Sequence, residues 1–287
     1  MDILVSGLNN YVGRRSISLM ADDTFNVFAI TRNLKLFEKR VFEPVRAQLF
    51  EVDLIKGDIE VALPIPDVNA AFYFTQVPTL NDIVNLNLEM LCLRNFIHIL
   101  KRKNCSRLIY VARLMDKICI QAILDLLEEL RMDYTIVLKN SVIGRDSLID
   151  RVFKNIANRK FILYSKRYAN RCFQPIGAHD FIRWLKGILD VPAFRHRILE
   201  VGGDEVLSFM QVFNIYKELK LIAGGQQIVN LPRCLVKFVY QRRLDISSND
   251  YAELSRIIQA DNYADNSWRA SMPFQFSKVS DILQLDK

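Results

Sequence analysis

Behind the apolar run Ile3-Leu4-Val5 the chain reads Ser6-Gly7-Leu8-Asn9-Asn10-Tyr11-Val12-Gly13, and residues at helical spacing follow. A strand, a glycine-bearing turn and a helix in that order can bind phosphate. The N–H groups of the helix's first turn face the anion, and glycines let the backbone approach it. Gly7 is placed to make the sharp exit from the strand and Gly13 to let the helix pack on the sheet. Asn10 occupies the middle position of the G-x-x-G-x-x-G spacing. Asparagine is the commonest non-glycine visitor to left-handed backbone, so Asn10 is expected in that conformation, with its side chain standing where a pyrophosphate would approach. The alternative is an ordinary strand-turn-helix corner. A second feature lies at Ile30-Thr31-Arg32-Asn33. An acidic residue at this strand end suits the ribose 2′-hydroxyl of NAD, a basic one the 2′-phosphate of NADP. Arg32 therefore favours NADP(H), with NAD(H) the second choice, over its plainer reading as a solvated arginine.

Other chemistries find little support. His98, His179 and His196 have no metal-ligand spacing, and no metal site is expected. His98 reads as structural, and His179-Asp180 as a helix start. Neither a G-x-S-x-G elbow nor a P-loop is present. Five cysteines, at 92, 105, 119, 172 and 234, form no C-x-x-C pair, which suits a reduced, cytoplasmic compartment. Lys plus Arg exceeds Asp plus Glu by 39 − 32 = 7. The excess is scattered in short groups, Lys101-Arg102-Lys103, Arg195-His196-Arg197 and Arg242-Arg243, as on a solvated surface. Nucleic acid is not the expected partner. Val236 to Arg243 reads as a packed helix with a basic edge. The acidic start lacks the pattern of a signal peptide, and the longest uncharged run, Val68 to Asn81, has 14 residues, too few to cross a bilayer. No membrane is expected; the partners expected are a small-molecule substrate or effector, with room for a protein partner.

The elements that must position the turn alternate. Strand-like runs at 3–5, 26–30, 48–52, 70–74, 107–111 and 134–138 are interleaved with helical spacing over 11–21, 81–103 and 118–130; in the second of these helices Leu86, Met90, Leu93 and Ile97 share a face. This succession predicts an α/β fold with a doubly wound, mainly parallel Rossmann-type sheet and a smaller C-terminal lobe. Beyond residue 145 the rhythm loosens. The expected division is a dinucleotide-binding core at 1–145 and a C-terminal part at 146–287, the latter with helices at 147–156 and 178–189, a return strand at 197–201, and Ser208-x-x-Gln211 opening a further helix as a capping box. Gly224-Gly225 and Pro232 mark the weakly patterned last quarter.

Taken together these residues resemble the NmrA-like NAD(P)H-binding proteins of the atypical short-chain dehydrogenase/reductases. ILVSGLNNYVGRR is similar to that family's ILVTGATGYVGRR-type opening, and VFAITRN to its second strand with the NADP-selecting arginine. Val52-Asp53-Leu54, AAFYFTQ, DYTIVLKNSVIG, RYANRCFQPIGAHDFIRWLKGIL and ILEVGGDEVLSFMQV follow in the family's order, so the resemblance covers residues 1–220. It implies that Gly7, Asn10, Tyr11, Val12 and Gly13 wrap the pyrophosphate, Arg32 the 2′-phosphate, and Asp53 with Leu54 the adenine. Phe74, Thr75 and Gln76 would run beside the ribose and nicotinamide, with Lys139 next to the nicotinamide pocket. Gln174-Pro175-Ile176 would lead into the small lobe.

Reductases of the wider superfamily protonate a carbonyl with a tyrosine activated by a lysine four residues on, helped by a serine or threonine. That pair belongs on the helix after the fifth strand, which here holds no tyrosine. Tyr216 to Lys220, far downstream, is a chance match. After the fifth strand the chain reads Tyr110-Val111-Ala112-Arg113, without the hydroxyl. No catalytic residue is assigned. Two readings stay open: an oxidoreductase passing hydride to a quinone-like or carbonyl acceptor without the Tyr-x-x-x-Lys pair, and a non-catalytic NADP(H)-sensing or degenerate interaction protein. Sugar-nucleotide epimerase or dehydratase chemistry is disfavoured, because it needs the missing tyrosine.

Overall fold

The computed structural model describes residues 1–22, 24–39, 41, 45–56, 63–159, 161–223, 227–230, 232 and 247–285; Gly224-Gly225, Cys234 and the Val236–Arg243 stretch lie outside them. The first 139 residues run β1 (Asp2–Ser6), α1 (Tyr11–Met20), β2 (Asn26–Thr31), α2 (Leu34–Glu38), β3 (Gln48–Glu51), β4 (Ala70–Phe74), α3 (Ile83–Arg102), β5 (Arg107–Arg113), α4 (Ile120–Glu129) and β6 (Asp133–Lys139). Beyond them come β7 (Val142–Ile143), α5 (Leu148–Ala157), β8 (Phe161–Tyr164), α6 (Lys166–Ala169), β9 (Cys172–Phe173), β10 (Ile176–Gly177), α7 (Ala178–Gly187) and β11 (Arg197–Val201). The described chain ends with β12 (Leu207–Ser208), α8 (Phe209–Glu218), β13 (Gln227–Asn230), α9 (Ser248–Ile257) and α10 (Val279–Leu285).

One seven-stranded sheet has the order β11-β6-β5-β4-β1-β2-β3. β1 pairs in parallel with β2 on one side and with β4 on the other, and β2–β3, β4–β5 and β5–β6 are parallel too. Strands after β1 therefore add outward in one direction and strands from β4 onward in the other. The reversal, where α/β sheets bind ligands, falls between the carboxyl ends of β1 and β4. Both strands are near-continuous apolar runs, Ile3 to Val5 and Ala70 to Phe74, without exposed surface, as strands covered by helices on both faces must be. The sheet expected from the sequence is thus present, including the return strand at 197–201.

Asp82 caps α3 by accepting from the N–H groups of Val84 and Asn85. By length and composition α3 could cross a membrane, and its Leu93, Phe96, Ile97 and Leu100 are fully buried in the core. The expected face is present, with one difference: Glu89 is buried within it. Asn95, also on α3, donates to Leu54 O at 2.7 Å and ties the helix to the chain after β3. β5 runs two residues beyond the expected end at Val111, and a 3₁₀ turn at Leu114–Cys119 precedes α4.

Contacts divide the chain into two units: residues 1–139, 182–200 and 266–274, and residues 140–181, 201–265 and 275–287. The sequence leads to the expectation of a single boundary after residue 145, whereas each unit is made of three separate stretches of chain. β11 must return to the sheet, and the indole of Trp268 packs edge-on to that of Trp184, with ring centroids 5.1 Å apart, drawing the later segments back into the first unit. In the second unit Ser208 and Gln211 form the expected capping box. Asp180, near the start of α7, accepts from Ser277 N at 2.7 Å. Tyr216 is buried within α8, whereas Lys220 lies past its end with φ 56°, so the two do not form a helical Tyr-x-x-x-Lys pair.

Candidate functional site

Gly7 leaves β1 with φ +87°, and a Cβ there would stand 1.9 Å from Phe74 O. Only glycine fits, both by conformation and by space. A Cβ on Gly13 would stand 2.2 Å from Gly7 O, so the first turn of α1 lies directly on the loop. Gly7 makes the sharp exit from the strand that the sequence predicts, whereas Gly13 closes the helix onto the Gly7 loop and not onto a strand. Asn10 is not left-handed as expected. Its backbone is extended, φ −94° and ψ 163°, and it is the N-cap of α1. Its Oδ1 accepts from Gly13 N at 2.7 Å while its Nδ2 donates to Thr75 O at 3.0 Å. An asparagine N-cap gains more from bonding the N3 amide than from a left-handed turn, which Gly7 already supplies. The side chain is thus drawn toward the end of β4. Asn9 reaches the same segment through Nδ2 to Gln76 O at 2.6 Å, and Arg14 folds back onto Asn9 O at 2.9 Å. Val12 is buried on the inner face of α1, and Tyr11, half-buried, opens the helix.

Asn10→Ala removes the cap and the bond to β4 together, and is expected to cost about 1–2 kcal/mol of stability in urea unfolding. Asn10→Ser keeps a capping oxygen and should cost about half as much or less.

At the ends of β2 and β3, Arg32 Nε stands 3.4 Å from Asp53 Oδ2, with the arginine side chain 69% exposed. The structure therefore brings two of the expected site residues together. An exposed pair of this kind contributes little to stability, so the guanidinium can turn to a stronger anionic partner. Leu54 is buried.

The strip at the end of β4 is differently placed from the expectation. Phe74 has no exposed surface and Thr75 almost none. Phe74 underlies Gly7, and Thr75 Oγ1 donates to Val111 O at 2.9 Å. These side chains support the turn rather than offer themselves to a ligand. Gln76, half-buried, donates through Nε2 to Ser6 Oγ at 3.3 Å and Tyr73 OH at 3.2 Å.

Beneath this strip sits Glu89, a residue the sequence reading passed over. Oε2 accepts from the N–H groups of Gln76 at 3.0 Å and Val77 at 3.2 Å, and Oε1 accepts from Tyr110 OH at 3.2 Å. Burial pushes its carboxyl up to about 7, against those donors and the Arg113 charge, which pull it down. Because the folded value lies above the ordinary 4.5, the folded state binds the extra proton between these values. The contribution of Glu89 to stability is full below about 4.5 and is lost as pH rises toward 7. Wild type is expected to lose unfolding free energy relative to Glu89→Gln over that window, read from urea midpoints at successive pH values.

At the end of β5, Ala112 is buried and Arg113 turns inward, its Nη1 2.9 Å from Asp116 Oδ2 and its Nη2 donating to Val77 O at 2.7 Å. Asp116 Oδ1 in turn accepts from Leu80 N at 3.3 Å. This ion pair fastens the chain after β4 to the chain after β5. No tyrosine lies on α4. Lys139, half-buried, ends β6 opposite Arg113 in the register. Among the described residues no His, Cys, Asp or Glu cluster could hold a metal ion.

The switch-point sheet and the glycine turn define a class: a Rossmann-type α/β fold. No family model matches the chain, and no curated protein matches its sequence. Solved structures match over its whole length. One is the UDP-glucuronic acid 4-epimerase of Bacillus cereus in complex with UDP-glucuronic acid and NAD, at TM-score 0.70 and 12% identity, covering 100% of this chain and 98% of that one. A second is the UDP-glucose 4-epimerase of Bifidobacterium longum with NAD+ and UDP, at TM-score 0.71 and 11% identity, with coverage of 100% and 96%. The Citrobacter sp. triphenylmethane reductase complexed with NADP(H) matches at TM-score 0.70 and 11% identity, over all of both chains. At such identities the likeness is one of fold.

Proposed function

We propose that this protein binds NADP(H) at the Gly7–Gly13 turn, as an NmrA-like member of the atypical short-chain dehydrogenase/reductases, and presents the nicotinamide to a quinone-like or carbonyl acceptor. The observation that carries the reading is the turn itself. Gly7 and Gly13 let the turn close onto Phe74 O and onto itself, where any Cβ would collide with backbone, at the switch point of the sheet and at the N-terminus of α1. The backbone of Gly7 to Gly13 would hold the pyrophosphate, and Arg32 would leave Asp53 for the 2′-phosphate, an exchange of a weak exposed pair for a charge-assisted contact. Tyr11 and Val12 would line the turn, Asp53 and Leu54 the adenine end, and Gln76 and Lys139 the nicotinamide end, with Phe74 and Thr75 as its floor. NAD(H), without the phosphate, would bind more weakly. Fold neighbours solved with NAD or NADP(H) support the choice of cofactor class.

Bound NADPH would supply the hydride. The chain's own part is to orient it and exclude water, since neither the Tyr-x-x-x-Lys pair nor a hydroxyl at Ala112 is there to protonate a product. Acceptors that need little acid help suit such a site. The sealed Arg113–Asp116 pair at the end of β5 favours a second reading, an NADP(H) sensor without turnover. A panel of quinones and aldehydes separates the two: oxidation of NADPH at 340 nm, abolished by Gly13→Asp, is expected from the oxidoreductase. Cofactor binding without consumption across the panel would establish the sensor.

A further inference from the structure

Glu89 touches none of the residues assigned to the cofactor through their side chains, yet it grips the main chain on which they rest. The N–H groups it accepts from, those of Gln76 and Val77, belong to consecutive peptide units. The carbonyls of the same two units, Thr75 O and Gln76 O, accept from Asn10 Nδ2 and Asn9 Nδ2. Each unit is therefore clamped at one end by a buried carboxylate and at the other by a side-chain amide of the glycine turn. A peptide whose N–H faces a carboxylate is polarised, and its carbonyl becomes a stronger acceptor. The charge on Glu89 thus reaches Asn9 and Asn10 through two parallel peptide relays.

We propose that Glu89 is a positioning residue that couples its own proton to the dinucleotide turn: ionised, it tightens the Thr75–Val77 strip on Asn9 and Asn10 and favours cofactor binding, and protonated, it loosens both. The inference rests on the NADP(H) reading above and deepens it by making affinity depend on pH.

The groups around the carboxylate suit such a role. Tyr110 from β5 donates to it, and the Tyr73 phenol from β4 is held well above its ordinary value by burial first and by the nearby Glu89 charge second. Cys92, three residues on along α3, feels the same charge. Arg113, at the end of β5 and paired with Asp116, favours the ionised form. Burial sets the carboxyl at about 7, where a modest change in the turn alters its protonation. By reciprocity, cofactor that prefers the ionised form lowers that value when it binds.

The test is NADPH affinity from pH 6 to 8.5, read by nicotinamide fluorescence, for wild type, Glu89→Gln and Tyr110→Phe. Wild type should bind about fivefold more tightly at the alkaline end than at the acid end, beyond the slope that Glu89→Gln shows from the cofactor's own phosphate. Tyr110→Phe removes one donor to the carboxylate, so its step should move to higher pH, a displacement that loss of packing alone would not produce. Identical profiles for wild type and Glu89→Gln would overturn the inference, as would an unmoved step in Tyr110→Phe; if Glu89→Gln does not fold, the Tyr110→Phe displacement decides alone. Failure of wild type to bind NADPH at any pH would instead overturn the NADP(H) reading, and this inference with it.

Discussion

Gly7→Ala is expected to abolish detectable NADPH binding and to lower the free energy of unfolding by about 3 kcal/mol. Two costs combine. A left-handed residue with a Cβ costs about 1–2 kcal/mol, and forcing atoms into a filled space about 1–3 kcal/mol. Here the obstacle is Phe74 O, 1.9 Å from the added carbon, a backbone atom of a central strand that cannot swing aside. The turn must therefore lift away from β4, taking with it the bonds of Asn9 and Asn10 to the Thr75–Gln76 carbonyls. Differential scanning calorimetry should show the melting temperature fall by roughly 5 °C. Retained NADPH affinity in a folded Gly7→Ala variant would place the cofactor elsewhere.

Arg32→Ala is expected to weaken NADPH binding by roughly tenfold to a hundredfold, the worth of a hydrogen-bonded contact between charged groups, while changing NADH affinity little. The side chain is exposed and its ion pair with Asp53 is loose, so stability should hardly change. Releasing Asp53 from its partner should if anything leave a carboxylate free for the ribose 2′-hydroxyl of NADH. Equal losses for both cofactors would mean that Arg32 acts on something they share rather than on the 2′-phosphate.

How far these features were legible differs from element to element. The succession of strands along the chain and Gly7 could be read directly, because parallel strands buried on both faces write apolar runs and because Gly7 has no substitute at φ +87°. Arg32 was legible from its place at the end of a strand. Asn10 was recognised but given the wrong conformation: its propensity for left-handed backbone competes with its propensity to cap, and only the position of Thr75 O, from a strand sixty-five residues away, decides between them. Glu89 escaped because it sits among Leu86, Met90 and Leu93, where the helical face reads as apolar. A carboxylate on such a face is itself a signal, since an unpartnered one would not be buried there. What the sequence could not supply was the partner, two backbone N–H groups just past β4. The interleaving of the two units was likewise hidden, for it depends on Trp268 meeting Trp184 across a long separation in the chain.

The NADP(H) reading stands on the glycine turn, and a fluorescence titration of the purified protein with NADPH tests it most directly. Saturable enhancement of nicotinamide emission at one equivalent per chain, weaker with NADH and absent in Gly7→Ala, is the predicted result. No change in emission up to millimolar NADPH would contradict it.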